Sequence, residues 1–215
     1  MAAVKKNGAI RFDVNKQDLG PNGDNPYFVL SPGQKRVYGG INAGDTLIST
    51  VLAKTKLVDS VTTRVIVDSE WVNGHLVEVA RDYFAIDTAT DEVYYFGEDV
   101  NLYQDDTIVG HEGFWLSGVN DARFGSMMPG NGRLAVGDRF YQEIAPGVAM
   151  DRAEVISLTD TITTPLGYYF YPCVHFEESS DLESRTGDKW YAVDIGVVKD
   201  DDFVLVKTKQ TRKTI

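Results

Sequence analysis

Six carboxylates sit within or beside aromatic and β-branched stretches: Glu98 in YYFGED, Glu112 in HEGFW, Glu143 in FYQEI, Asp151 and Glu154 in MDRAEV, and Glu177 in VHFEE. Successive side chains on a strand alternate between faces, so several of these groups could point into one shared interior. Carboxylates brought together there could do acid–base work, with Glu98, Glu112 and Glu143 as the candidate catalytic groups. An ionised carboxylate in a low-dielectric interior needs a partner. Arg81, Arg139 and Arg152, or a hard cation such as Ca²⁺, are candidates for that role. Facing solvent, the same carboxylates would merely keep the strands soluble.

The histidines are His75, His111 and His175. His111-Glu112 opens like the H-E-x-x-H zinc motif, but no second histidine follows at the required spacing. A divalent metal site drawn from His111, Glu112, Glu143 and His175 therefore depends on the fold to bring them together; for one histidine alone, a surface or hydrogen-bonded structural role is commoner. Tyr83, Tyr95, Trp115 and Tyr141 combine an apolar body with a polar tip, which suits the wall of a half-wet ligand cavity. Cys173, between Pro172 and Val174, reads as a small buried residue rather than a nucleophile, with His175 its only nearby base. The acidic turns at 87–91 and 200–202 lack EF-hand spacing and read as ordinary turn chemistry. There is no G-x-S-x-G elbow, P-loop or Rossmann glycine pattern.

Composition narrows the classes. The chain has 215 residues, 43% of them apolar, with eleven Tyr and ten Phe, enough for one sizeable β domain. A formal net charge of -11 argues against nucleic acid or an anionic membrane as partner, because both demand a basic surface. The single cysteine forbids an intrachain disulfide, which suits the cytosol and the periplasm alike. No apolar run approaches the roughly 20 residues of a membrane span, and MAAVKKNGAIRFDVNK lacks the apolar core of a signal peptide.

The elements that must position these residues read as strands. Residues 1–35 are rich in Gly, Pro, Asn and Asp and are expected as an irregular arm, with 36–215 forming one antiparallel β-barrel or half-barrel of lipocalin-like type. Strands are expected at 46–55, 61–72 and 75–87, the last two joined by a type I′ turn at Asn73-Gly74. A further hairpin through 88–91 leads to a strand at 93–98, completing a meander. A strand near 107–115 precedes a Gly-rich stretch at 118–137, read as a long loop that could close a barrel mouth. Later strands are expected at 139–144, 149–158, 168–176, 189–198 and 203–209. No 3.6-residue apolar stripe appears, so little helix is expected. Simple pairing about Asn73-Gly74 puts Val65, Val67, Trp71, Leu76, Glu78, Ala80, Asp82 and Phe84 on one face. The other then carries Arg64, Ile66, Asp68, Val72, Val77, Val79, Arg81 and Tyr83. Both faces are mixed, which suits a partly polar lumen or a sheet covered by another subunit.

The segments NPYFVLSPGQKRVYGG (25–40), DYFAID…EVYYFGED (82–99) and HEGFW…MMPGNGRLAVGDRFYQEIAPGVAMDRAEVISL (111–158) resemble a family of exported bacterial all-β proteins of unassigned activity. The shared elements are N-P-Y-F-x-L-x-P-G, Y-F-G-E-D and Q-E-x-x-P-G-V-A, spread across most of the chain after residue 25. The resemblance implies a β-rich fold and a periplasmic or secreted location, and it transfers no catalytic residue.

Three functions follow as expectations. The first is a barrel that binds a small, partly apolar ligand or a divalent metal ion. The second is an acid–base enzyme (a cyclase, isomerase or hydrolase) using Glu, Tyr or His on the same scaffold. The third is an assembly subunit, a homo-oligomer that buries one sheet face against a copy of itself.

Overall fold

The computed structural model describes residues 14–130 and 132–209. After a single 3-10 turn (Lys16–Asp18) come β1 (Leu19–Gly20), β2 (Lys35–Gly39), β3 (Thr46–Val58), β4 (Val61–Val72), β5 (His75–Asp87) and β6 (Val93–Gln104). Then follow β7 (Thr107–Gly110), β8 (Trp115–Leu116), β9 (Arg123–Met128), β10 (Arg139–Tyr141) and β11 (Glu143–Ile144). The last are β12 (Asp151–Thr163), β13 (Tyr169–Ser180), β14 (Thr186–Ala192), β15 (Gly196–Asp200) and β16 (Phe203–Lys209). Among the described residues there is no α-helix. Among the described residues no helix is long and apolar enough to cross a membrane.

All pairings are antiparallel and run β12-β13-β14-β15-β16-β2-β3-β4-β5-β6-β9, a meander that nearly closes into a lipocalin-like barrel. One segment bridges the seam. Arg139–Tyr141 pairs with β12, and two residues later Glu143–Ile144 pairs with β9, so a single run of chain changes partner from one sheet edge to the other. The amide of Gln142 donates to the Asp151 carbonyl at 2.8 Å between these two pairings. This handover covers part of each edge that an open sheet would expose.

Gly125 on β9 makes the close approach possible. A Cβ built there would collide with the Gln142 and Tyr141 carbonyls, which are backbone and have little room to give. We expect Gly125→Ala to destabilise the protein by at least about 2–3 kcal/mol, the scale of core overpacking. Thermal denaturation measures it, and a melting temperature equal to wild type would show that the seam is not tightly held.

The Asn73-Gly74 turn forms as expected, with positive φ at both residues (52° and 82°). The face assignment built on it needs correction. Val72 pairs with His75 and Trp71 with Leu76, but the next pair is Glu70 with Glu78. Val77 is thus the extra residue of a β-bulge, and beyond it every β5 side chain moves to the other face. The inward face carries Arg64, Ile66, Asp68 and Glu70 beside Glu78, Ala80, Asp82 and Phe84. Val65 and Tyr83 lie outward, in a second apolar cluster with Leu19, Val61, Tyr94 and Phe96.

Three other expectations change. The Gly-rich stretch contains β9, and Met128 within it is fully buried core rather than part of a mobile lid. The strand expected near 107–115 is two short ones separated by a turn at 111–114, where Gly113 has φ 95°. The run expected at 189–198 is broken by a turn at Asp194 (φ 63°) into β14 and β15. Within the arm expected at 1–35, Leu19–Gly20 form β1 and pair with β5, while residues 21–34 contain no strand. They are nonetheless integral, because Phe28 and Leu30 are buried in the barrel core, and Asn25 ties the arm to the Asp91 and Pro129 carbonyls. Residues 1–13 of that arm lie outside the described residues.

Candidate functional site

The interior has an apolar half and an acidic half. Phe28, Ile66, Phe84, Tyr95, Phe176 and Tyr191 belong to one buried cluster, with Phe84 stacked on Tyr95 at 4.7 Å and Trp115 edge-on to Tyr95 at 5.3 Å. Beyond them lies a cavity of about 210 Å³, walled by Phe28, Phe84, Tyr95 and Met127 on one side. Asp68, Asp82, Glu143 and Asp200 form much of the rest, with Arg36 and Lys189 the cations in the wall.

Cross-strand register brings these groups together. Asp82 faces Ile66 on β4 and Glu98 on β6, and Asp68 faces Ser49 on β3. Glu143 arrives from the seam segment. On the opposite wall Lys189 pairs with Asp200 across β14 and β15, its Nζ 2.9 Å from Glu178 and 3.4 Å from Asp200. Gln142 Nε2 donates to the other Glu178 oxygen at 2.8 Å, so the seam is tied to this ion pair.

Burial dominates the electrostatics. Desolvation, followed by the fields of Asp68 and Glu98, raises Asp82 well above the usual aspartate range. Desolvation, then Glu98, Asp151 and Asp82, does the same for Glu143. Glu98 is pushed up to about 7 by burial and by Glu78. Asp200 is also raised by burial, although Lys189 works the other way. Burial disfavours a charged Lys189, yet Asp200 and Glu178 overcome it and hold the ammonium.

Several polar atoms in this region have no partner among the described residues. Asp68 Oδ1 is one, and the hydroxyl of the fully buried Tyr191, in the field of Glu178, Lys189 and Asp200, is another. Arg36 gives Nη2 to Ser49 at 2.9 Å and Nη1 to the Ile195 carbonyl at 3.4 Å, leaving Nε unused. Asp68 and Arg36 line the cavity, and buried groups without partners carry a desolvation cost that a bound group could offset. Tyr95 donates to Asp82 at 2.9 Å, whereas Trp115 Nε1 lies near Glu98 without a well-formed hydrogen bond.

Of the residues singled out from sequence, Glu98, Glu143, Tyr95 and Trp115 gather around the lumen. Glu112 does not; it is exposed in the turn after β7. Tyr83 faces outward, against Lys56 and Asp99. Tyr141 lies opposite Arg152, whose guanidinium sits over its ring. His111, Glu112, Glu143 and His175 are not brought together. His111 Nδ1 bonds the Val100 carbonyl at 2.8 Å, while His175 stacks on Trp190 between Asp160 and Asp188. Among the described residues no group of three or more His, Cys, Asp or Glu side chains is arranged to hold a metal ion.

The expected counter-charges differ too. Arg139 pairs with Glu154 and Arg152 with Asp181, and neither Arg81 nor these two lines the lumen, which uses Arg36 and Lys189 instead. Cys173 is fully buried, and burial pushes its thiol up to about 11, the reverse of an activated nucleophile. Asp200 was expected in an acidic turn but ends β15 and faces the cavity.

Compared with protein-family models, with curated proteins and with solved structures, the chain has no significant match. The site's chemistry must speak for itself.

Proposed function

We propose that this protein is a binding module whose barrel lumen takes a small organic cation with a partly apolar body. The observation that carries the reading is the lining of this cavity, where four carboxylates (Asp68, Asp82, Glu143 and Asp200) outnumber the cations Arg36 and Lys189 and meet Phe28, Phe84 and Met127. An amine or amidine would supply the donors that Asp68 Oδ1 and its neighbours lack, while its body packs on the aromatic side. A volume of about 210 Å³ lies below the ~300–1,000 Å³ typical of drug-sized ligands, so the occupant is small. The scattered His111, Glu112, Glu143 and His175 favour an organic cation over a metal ion.

Benzylamine and its neutral isostere benzyl alcohol test this by thermal shift and calorimetry. Benzylamine is expected to raise the melting temperature, benzyl alcohol to have little effect, and Asp82→Asn with Glu143→Gln to abolish the difference. Affinity should strengthen as pH rises above the ordinary carboxylate range, because the raised lumen carboxyls ionise only there. Equal binding of alcohol and amine would overturn the assignment.

Acid–base catalysis is the second reading, favoured by Glu98, whose carboxyl at about 7 can hold or release a proton near neutrality. Chemical alteration of a bound amine during incubation, absent in Glu98→Gln, would support it over simple binding. The likeness of three segments to exported bacterial proteins supports a periplasmic or secreted location, which fractionation of the natural source would test.

A further inference from the structure

We infer that the outer surface carries a second, separate binding site, for a small organic anion with a flat apolar body. A groove of about 750 Å³, larger than the lumen cavity, lies on the outward side of β3–β6. Lys54, Lys56, Arg81 and His111 line it, with Asp99 the only carboxylate among its lining residues. In a chain of net charge -11, this local reversal of sign is unexpected from composition.

The groove is built rather than incidental. Val51 pairs with Ile66 and Thr55 with Arg64, so β3 spends two more residues than β4 over this interval and arches away from the sheet. Arg64 fixes the arch from below, donating to the Leu52 and Ala53 carbonyls at 3.3 and 2.9 Å and to Asn22 at 2.6 Å. The arch holds Lys54 out along one wall. The turn at 111–114 forms the other, placing half-exposed Phe114 beside His111. Val65 and Leu52 add apolar surface between them.

The cations are not all spent internally. Lys56 Nζ lies 2.8 Å from Asp99, and the Tyr83 hydroxyl also donates to that carboxylate. Arg81 stands opposite Asp99 in register and its charge helps to lower that carboxyl, but among the described residues neither Arg81 nor Lys54 makes a close ion pair or side-chain hydrogen bond. Asp99 is therefore occupied by Lys56 and Tyr83, leaving a guanidinium and an ammonium facing an apolar-floored recess. A guanidinium beside an aromatic ring suits a carboxylate or phosphate attached to a planar group.

Titrations with phenyl phosphate, benzoate, inorganic phosphate and benzyl alcohol test the assignment on the whole chain. Phenyl phosphate and benzoate are expected to bind. Lys54→Glu and Arg81→Gln should each weaken them about tenfold or more, whereas Asp82→Asn in the lumen should leave them unchanged. Because Lys54 is exposed, its variant should fold normally, and circular dichroism checks this. The proposal fails if neither aryl anion binds, if inorganic phosphate or benzyl alcohol binds as well as they do, or if both groove variants bind like wild type. The outcome is independent of whether benzylamine enters the lumen.

Discussion

Replacing Lys189 by methionine is expected to lower the melting temperature by roughly 10 °C near neutral pH. The ammonium sits between Glu178 and Asp200 with its side chain only 17% exposed, and both carboxylates lose it at once. Glu178 would keep the amide of Gln142, but Asp200 would lose the one cation paired with it among the described residues while the fields of Glu178, Asp201 and Glu70 remain. Breaking a buried pair from one side costs about 3–5 kcal/mol, because an uncompensated charge is left behind. For a chain of this length each kcal/mol moves the midpoint by about 2–4 °C. The deficit should narrow on acidification, since protonated carboxyls no longer need the partner. A variant that melts with wild type at every pH would show that water, not Lys189, solvates these two groups.

That Lys189 matters could not be read from its place in the sequence, where it opens an unremarkable KWYAV run. The meander was legible because its signals are local: Asn73-Gly74 specifies its own turn, and the boundaries of β4 and β5 follow from adjoining alternation. The lumen was not, because its composition depends on register far from any turn. One extra residue, Val77, moved Asp82 onto the face shared with Ile66 and Asp68 and opposite Glu98. A bulge of this kind has no strong composition signal, and period-2 reasoning propagates the error along the whole strand. β9 was hidden for a related reason. Gly125 looks like loop punctuation, yet it is glycine because the seam backbone passes too close for a side chain. Glu98 and Glu143 were identifiable as carboxylates among aromatics, while Asp68 and Asp200 needed the curl of the nearly closed sheet to bring distant strands opposite one another.

The crowding of raised carboxyls predicts an unusual pH profile. A carboxyl whose folded-state pKa exceeds its unfolded value binds protons more tightly in the folded protein. Its contribution is therefore most favourable below the ordinary carboxylate range, declines as pH rises through the interval between the two values, and stays low above it. For Glu98 that interval runs from 4.5 to about 7. At about 1.4 kcal/mol per unit, Glu98 alone sets an upper figure of about 3–4 kcal/mol. Asp82 and Glu143, raised well above their usual ranges, extend the decline to higher pH. The opposite trend belongs to other groups. The Asn73 amide lowers Asp45, Ser157 and Trp190 lower Asp160, and Lys56 and Tyr83 lower Asp99 against its own burial. Their stabilisation is lost only as pH falls below the ordinary aspartate value of 3.8. The protein should thus be most stable between about pH 4 and 5 and lose several degrees of melting temperature by about pH 8. Glu98→Gln keeps the shape of the side chain and removes its titration. It should melt above wild type at about pH 8, match it near pH 4.5, and show a flatter profile between. A wild-type melting temperature that does not change from about pH 5 to 8 would mean that the lumen carboxyls titrate as they do in water, and the cavity would then be too wet to select a cation by charge.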